Sequence, residues 1–285
     1  MTTLVKASGL SKSYGTVKAL DQASFEIHQG RIVGLIGPNG AGKTTALKAV
    51  LGLTSFEGKL EVLGLDPRRE RHRVMQDVCF IADVAVLPKW LRVRKALDLV
   101  DRLHPRFERS RAEDFLSRTT VRMDSKIGQL SKGMVTQLHL ALVMAIEARL
   151  LVLDEPTLGL DILFRKEFYK TLLNDYFDEN RTILVTTHQV EEIENILTDV
   201  IFIDRGRLVL DESMDSIADR FVEVSVKPDR AEAARQLGPL SEQEMFGRRV
   251  FLFENGNAEQ LRDLGEMRTP GIADLFVAKI KERSA

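Results

Sequence analysis

The sequence predicts an α/β layered fold built on a largely parallel sheet, with an antiparallel β edge region, an inserted α-helical subdomain and a small C-terminal α+β appendage. Three observations predict it. Short runs continuous in Val, Ile and Leu, "RIVGLIG", "LLVLDE", "TILVTTH" and "VIFIDRG", alternate with helical patterns, and strands apolar on both faces are those covered by helices on both sides. The first of these runs enters a glycine-rich loop that opens directly into a helix, the strand-loop-helix order of α/β layers. Between about residues 84 and 130 the alternation gives way to charged helical segments.

Taken in order, "LVKASGLSKSYGTVKALDQASFEIHQG" has alternating strand character and turn residues, which predicts the antiparallel edge region. "LRVRKALDLVDRL" and "SRAEDFLSRT" are the clearest helices of the inserted subdomain. After Arg207, "RFVEVSV" and "RRVFLFE" read as strands and "RAEAARQL" and "NAEQLRDL" as short helices. The expected division is therefore a main domain over residues 1–214 and an appendage over residues 215–285.

Composition narrows the function classes. Of 285 residues, 41 are Lys or Arg and 42 are Asp or Glu, giving a formal net charge of -1, so no nucleic-acid partner is expected. The lone cysteine, Cys79, lies in an apolar run; it has no internal disulfide partner, as suits a reducing compartment. The start of the chain lacks a basic-then-apolar secretory pattern, and the most apolar stretch, residues 138–153, is broken by His139, Glu147 and Arg149. No segment is expected to cross a bilayer, so any pore in a membrane process belongs to another polypeptide.

The chemistry concentrates in a few motifs. Gly37, Pro38, Asn39, Gly40, Ala41, Gly42, Lys43 and Thr44, with Thr45 following, satisfy the spacing G-x-x-x-x-G-K-[ST] between a strand and a helix. Glycines let backbone N–H groups curl around a phosphate, and the helix N-terminus adds its dipole. Lys43 then reaches the β- and γ-phosphates, and Thr44 offers its hydroxyl to magnesium. "LLVLDEP" presents Asp154 at the end of a buried strand, placed to hold that magnesium, with Glu155 next to it to take a proton from an attacking water. A second anion-suited helix start appears at Ser131 and Gly133 in "LSKGMVTQLHLALVMA". One phosphate loop needs one such start, so the second suits a nucleotide held by another copy of the chain.

Together these motifs resemble the nucleotide-binding subunit of ATP-binding cassette (ABC) transporters. "GPNGAGKTT" is similar to that family's Walker A, "LSKGM" to its signature, "LLVLDEP" to its Walker B, "LGLD" to its D-loop and "TTH" to its switch histidine, across about residues 4–210. The resemblance implies a P-loop ATPase core using ATP and Mg2+, with catalytic roles for Glu155, His188 and Lys43. It implies that Tyr14 stacks on adenine, that Asp161 crosses to a second copy, and that His188 contacts the γ-phosphate. Asp83 falls where the family has a magnesium-facing glutamine, and Lys132 and Met134 depart from its usual signature. Implied partners are an integral-membrane permease and a second cassette in a homodimer or heterodimer, at the cytoplasmic face of the cell membrane. The coupling surface expected is residues 84–94, with Trp90 and Leu91 either meeting the permease or packing within the subdomain. "LSKGM" and the short appendage point to export of a drug, ion, lipid or polymer. The alternatives are a soluble ABC ATPase or an ATP-sensing regulatory module.

Overall fold

The computed structural model describes residues 2–81, 87–158 and 162–284. The chain opens with strands β1 (Thr3–Tyr14) and β2 (Val17–His28), which pair antiparallel. β3 (Ile32–Ile36) leads through the glycine loop into α1 (Lys43–Val50). β4 (Glu57–Val62) then returns to pair antiparallel with β1, completing a three-stranded sheet of order β2-β1-β4. A single turn, α2 (Arg71–Val74), precedes β5 (Val78–Ile81).

The helical insertion comprises α3 (Val93–Leu103), α4 (Arg109–Ser117) and α5 (Lys132–Met144), with α5 packed on the other two. β6 (Leu150–Asp154), α6 (Ile162–Thr171), β7 (Thr182–Thr187), β8 (Asp199–Asp204) and β9 (Arg207–Ser213) return to the sandwich. The central sheet runs β5-β6-β7-β3-β8-β9, parallel except for the antiparallel edge β9. Its continuous apolar runs divide by pleat between two cores. Leu151, Leu153, Ile183 and Val185 face the core shared with α3, α4, α5 and α6, while Leu150, Val152 and Leu184 face the core shared with α1 and the three-stranded sheet. That two-sided burial is why these strands carry no polar alternation.

After α7 (Met214–Arg220), the chain forms β10 (Phe221–Val226), α8 (Ala231–Arg235), β11 (Ser241–Met245), β12 (Arg248–Glu254), α9 (Ala258–Leu264) and β13 (Gly265–Arg268). The strand order β11-β12-β10-β13, all antiparallel, is a β-α-β-β-α-β winding with its own small core around Val224, Phe251 and Phe253. The hairpin between β11 and β12 turns on Phe246 and Gly247, both at positive φ (49° and 75°), as a two-residue hairpin turn requires. The last helix, α10 (Ile272–Ser284), leaves this unit and buries Ile272, Leu275 and Ala278 in the main core. No helix among the described residues is long and apolar enough to cross a membrane.

Candidate functional site

The site forms where three neighbouring parallel strands, β6, β7 and β3, end at the same edge of the sheet, the position at which open α/β sheets receive ligands. From β3 the chain turns through residues 37–42 into α1, and the glycines are sterically required. A Cβ at Gly37 would lie 2.2 Å from the carbonyl oxygen of Ile203; one at Gly42, where φ is 114°, would lie 2.3 Å from that of Ala19. Lys43 opens α1 and folds back over the loop with only 6% of its side chain exposed. Its Nζ donates to the carbonyl oxygens of Gly37 (2.7 Å) and Pro38 (3.2 Å) and stands 3.5 Å from Oε1 of Glu155.

Asp154 ends β6. Its Oδ1 accepts hydrogen bonds from the hydroxyls of Thr186 in β7, at 2.7 Å, and Thr44 in α1, at 3.3 Å. Three elements thus converge on one carboxylate oxygen. Glu155 follows at a positive φ of 49°, a region disfavoured for a residue with a Cβ. Its N–H is held by Thr186 at 3.2 Å, through both the carbonyl and hydroxyl oxygens. The turn aims the carboxylate across the cleft, where Oε2 lies 2.8 Å from Nδ1 of His188, the residue just after β7. Glu155 therefore bridges Lys43 and His188.

An open cleft of about 580 Å³ is lined by Ala19, Asn39, Gly40, Gly42, Lys43, Thr44, Thr45, Glu155, Leu158 and His188. Tyr14, half-exposed at the end of β1, sits beside it: its hydroxyl is 3.4 Å from that of Thr54, and hydrogen bonding to Thr54, and secondarily to Thr45, lowers its pKa against the opposing effect of partial burial. Ser131 is the N-cap of α5, accepting the Met134 N–H at 3.3 Å. Neither Ser131 nor the buried Gly133 lines the cleft. The positions expected for metal contact and dimer crossing, Asp83 and Asp161, lie outside the described residues. Trp90 is 74% exposed, whereas Leu91 packs against the main core, which separates the two residues expected to act together. Cys79 is buried, and burial pushes its thiol up to about 12, leaving it inert.

Magnesium fits the donors present. Asp154 and Thr44 offer hard oxygens side by side, and Mg2+ is commonly held by one or two carboxylates with substrate phosphates completing the shell. Among the described residues no group of three or more His, Cys, Asp or Glu could hold a metal alone. Sequence reading did not single out Thr186, although a polar pair interrupts the apolar run of "TILVTTH". It also missed the brace behind the histidine. Arg165 of α6 donates to Gln189 Oε1 at 2.8 Å and pairs with Glu192, whose other oxygen is 3.5 Å from the Thr157 hydroxyl.

A family model described as ABC transporter matches residues 20–158. The daunorubicin resistance ATP-binding protein DrrA2 of Streptomyces coeruleorubidus is 34% identical over 242 residues, covering 81% of this chain and 74% of that protein. The Nod factor export ATP-binding protein I of Sinorhizobium fredii is 32% identical over 292 aligned positions, covering 96% and 84% respectively. A solved structure described as the ATP binding subunit of an ABC transporter aligns with a TM-score of 0.69 at 26% identity, over 76% of this chain and 92% of that one.

Proposed function

The chain belongs to the ABC transporter family as an ATP-binding, ATP-hydrolysing subunit, and on that footing we propose that it works as a pair of cassettes that close around Mg2+-ATP and drive a separate membrane exporter. The observation that carries this reading is the position of Ser131: a serine-capped helix start suited to phosphate lies away from the cleft that holds Lys43. A partner cassette facing the other way would bring its own Ser131 and Gly133 to the γ-phosphate. Exposed Leu158, Ile162 and Leu163 lie in sequence on either side of Asp161, an apolar group suited to burial against a second copy.

In this reading Lys43 and the loop N–H groups offset the β- and γ-phosphate charge, and Tyr14 stacks on the base. Thr44 and Asp154 hold magnesium, which supplies Lewis-acid neutralisation of the phosphate oxygens when bound. Glu155 accepts the proton of the attacking water as the new P–O bond forms, the bond to the ADP oxygen breaks, and ADP leaves with that electron pair. His188 holds Glu155 and the γ-phosphate in register. Asp161 and Asp83, both outside the described residues, are the positions at which the family resemblance would put the crossing aspartate and a further magnesium contact. The core over residues 1–214 carries this chemistry, and the appendage proposed for residues 215–285 returns to that core through α10. Exposed Trp90 offers an apolar contact to the permease at the cytoplasmic membrane face, where the subunit sits peripherally. The names of the relatives support export.

Subunit complementation tests the shared site. Lys43→Ala and Ser131→Arg chains are each expected to be inactive alone, and mixing them regenerates hydrolysis, because a mixed pair contains one intact Lys43–Ser131 site. Activity of the mixture no greater than the sum of its parts would refute the shared site.

A further inference from the structure

We infer that Glu194 is a positioning residue for hydrolysis, fixing the segment that carries His188 by capping the C-terminal helix α10. The inference rests on the proposed role of His188 and adds a route by which the appendage reaches it.

The segment after His188 holds only two short 3-10 turns, Val190–Glu192 and Glu194–Ile196. Such turns have poor internal hydrogen-bond geometry, so the position of this segment depends on what packs against it. One support is Arg165, through Gln189 and Glu192. The other is α10: Ile272 and Leu275 are fully buried in the core that contains Val190 and Ile193, and the Glu194 carboxylate accepts the Ile272 N–H at 3.0 Å. The first N–H groups of a helix have no partner within it, and an anionic acceptor there also meets the positive end of the dipole.

The rest of α10 is tied to distant parts of the molecule. Phe276 meets Phe202 of β8 edge to face, with ring centroids 5.1 Å apart. Lys279 reaches Glu254 of β12 at 2.6 Å, and Arg283 donates to the Leu208 carbonyl of β9 at 3.0 Å. α10 therefore links the appendage sheet to the residues directly following His188. A displacement of about 1 Å in a reacting group can cost about a hundredfold in rate, so a helix that fixes this segment influences turnover without touching nucleotide.

The test measures ATP hydrolysis by the full chain. Glu194→Ala is expected to lower kcat by roughly five- to tenfold with little change in the KM for ATP, the signature of lost transition-state positioning. Glu194→Gln keeps an oxygen acceptor and restores most of the rate. In a His188→Ala background Glu194→Ala produces no further fall, because residues acting through one another are non-additive. Equal falls in both backgrounds, or a wild-type kcat for Glu194→Ala, would overturn the inference. A His188→Ala chain with wild-type turnover would instead defeat the underlying role of His188.

Discussion

Thr186→Val removes one hydroxyl from the buried end of β7 while keeping the side chain's shape. Thr186 is fully buried and donates to Asp154 Oδ1 at 2.7 Å; its hydroxyl also accepts the Glu155 N–H at 3.2 Å, but the Thr186 carbonyl takes the same N–H and survives the change. The principal loss is therefore one hydrogen bond to a carboxylate, worth about 1.5–3 kcal/mol. At about 2–4 °C per kcal/mol this lowers the melting midpoint by about 3–12 °C. The catalytic consequence is separate. Asp154 keeps only the longer Thr44 contact as a hydroxyl partner, and loss of such a supporting bond costs about 10- to 100-fold in metal affinity. Turnover titrated against free Mg2+ should shift by that amount, while Thr186→Ser, which retains the hydroxyl, stays within a few-fold of wild type. An unchanged midpoint together with an unchanged magnesium response would refute the claim that Thr186 holds Asp154.

Two further changes probe charge. Glu155→Gln should reduce turnover by about 10²–10⁴-fold, the usual contribution of a general base. With Ser131→Arg also present to remove the second copy's contact with the γ-phosphate, it should also bind ATP a few-fold more tightly in equilibrium titration, because a neutral amide no longer competes for Lys43; weaker binding would contradict that competition. His139 in α5 supplies a pH test: burial pushes its imidazole down to about 4, and its Nε2 has no hydrogen-bond partner among the described residues. The unfolded value is about 6.5, so the unfolded chain binds more protons between these values. The stability contribution is present above the unfolded pKa and is lost as pH falls from about 6.5 to about 4. His139→Leu should flatten that part of the denaturation-midpoint profile; an unchanged slope would remove His139 as its source.

The core of the site was legible because local sequence dictates it. Gly37 and Gly42 sit where any Cβ would strike a carbonyl, and two-sided burial leaves a continuous apolar run in β6 that ends at Asp154 and one in β7 that ends at Val185, before the Thr186-Thr187 pair and His188. The appendage was less legible. β11, "SEQEM", and β13, "GEMR", are short polar edge strands defined by pairing with β12 and β10, and no periodicity in either segment announces them. The path of α10 was hidden for another reason: its residues specify a helix, but its target is set by packing across the whole fold. Likewise the pairing of Arg165 with Glu192 joins positions whose separation carries no local signal.

The arrangement around Glu155 explains how one carboxylate can be both restrained and available. Its side chain is 14% exposed and lies between Lys43 and His188, while the positive φ of its backbone and the grip of Thr186 on its N–H fix its origin. Lys43 is the flexible member of this group, since its ammonium sits on a four-carbon stem and already divides its donors among two carbonyls and Glu155. A γ-phosphate carries more charge than a carboxylate and attracts that ammonium more strongly. On the proposed mechanism, as Lys43 turns to phosphate, Glu155 gives up its ion pair with that ammonium and keeps His188, leaving one carboxylate oxygen free to accept from the attacking water. In that mechanism the nucleotide itself would free the group that acts on it, while the positive φ of Glu155 and the grip of Thr186 on its N–H keep the carboxylate directed into the cleft.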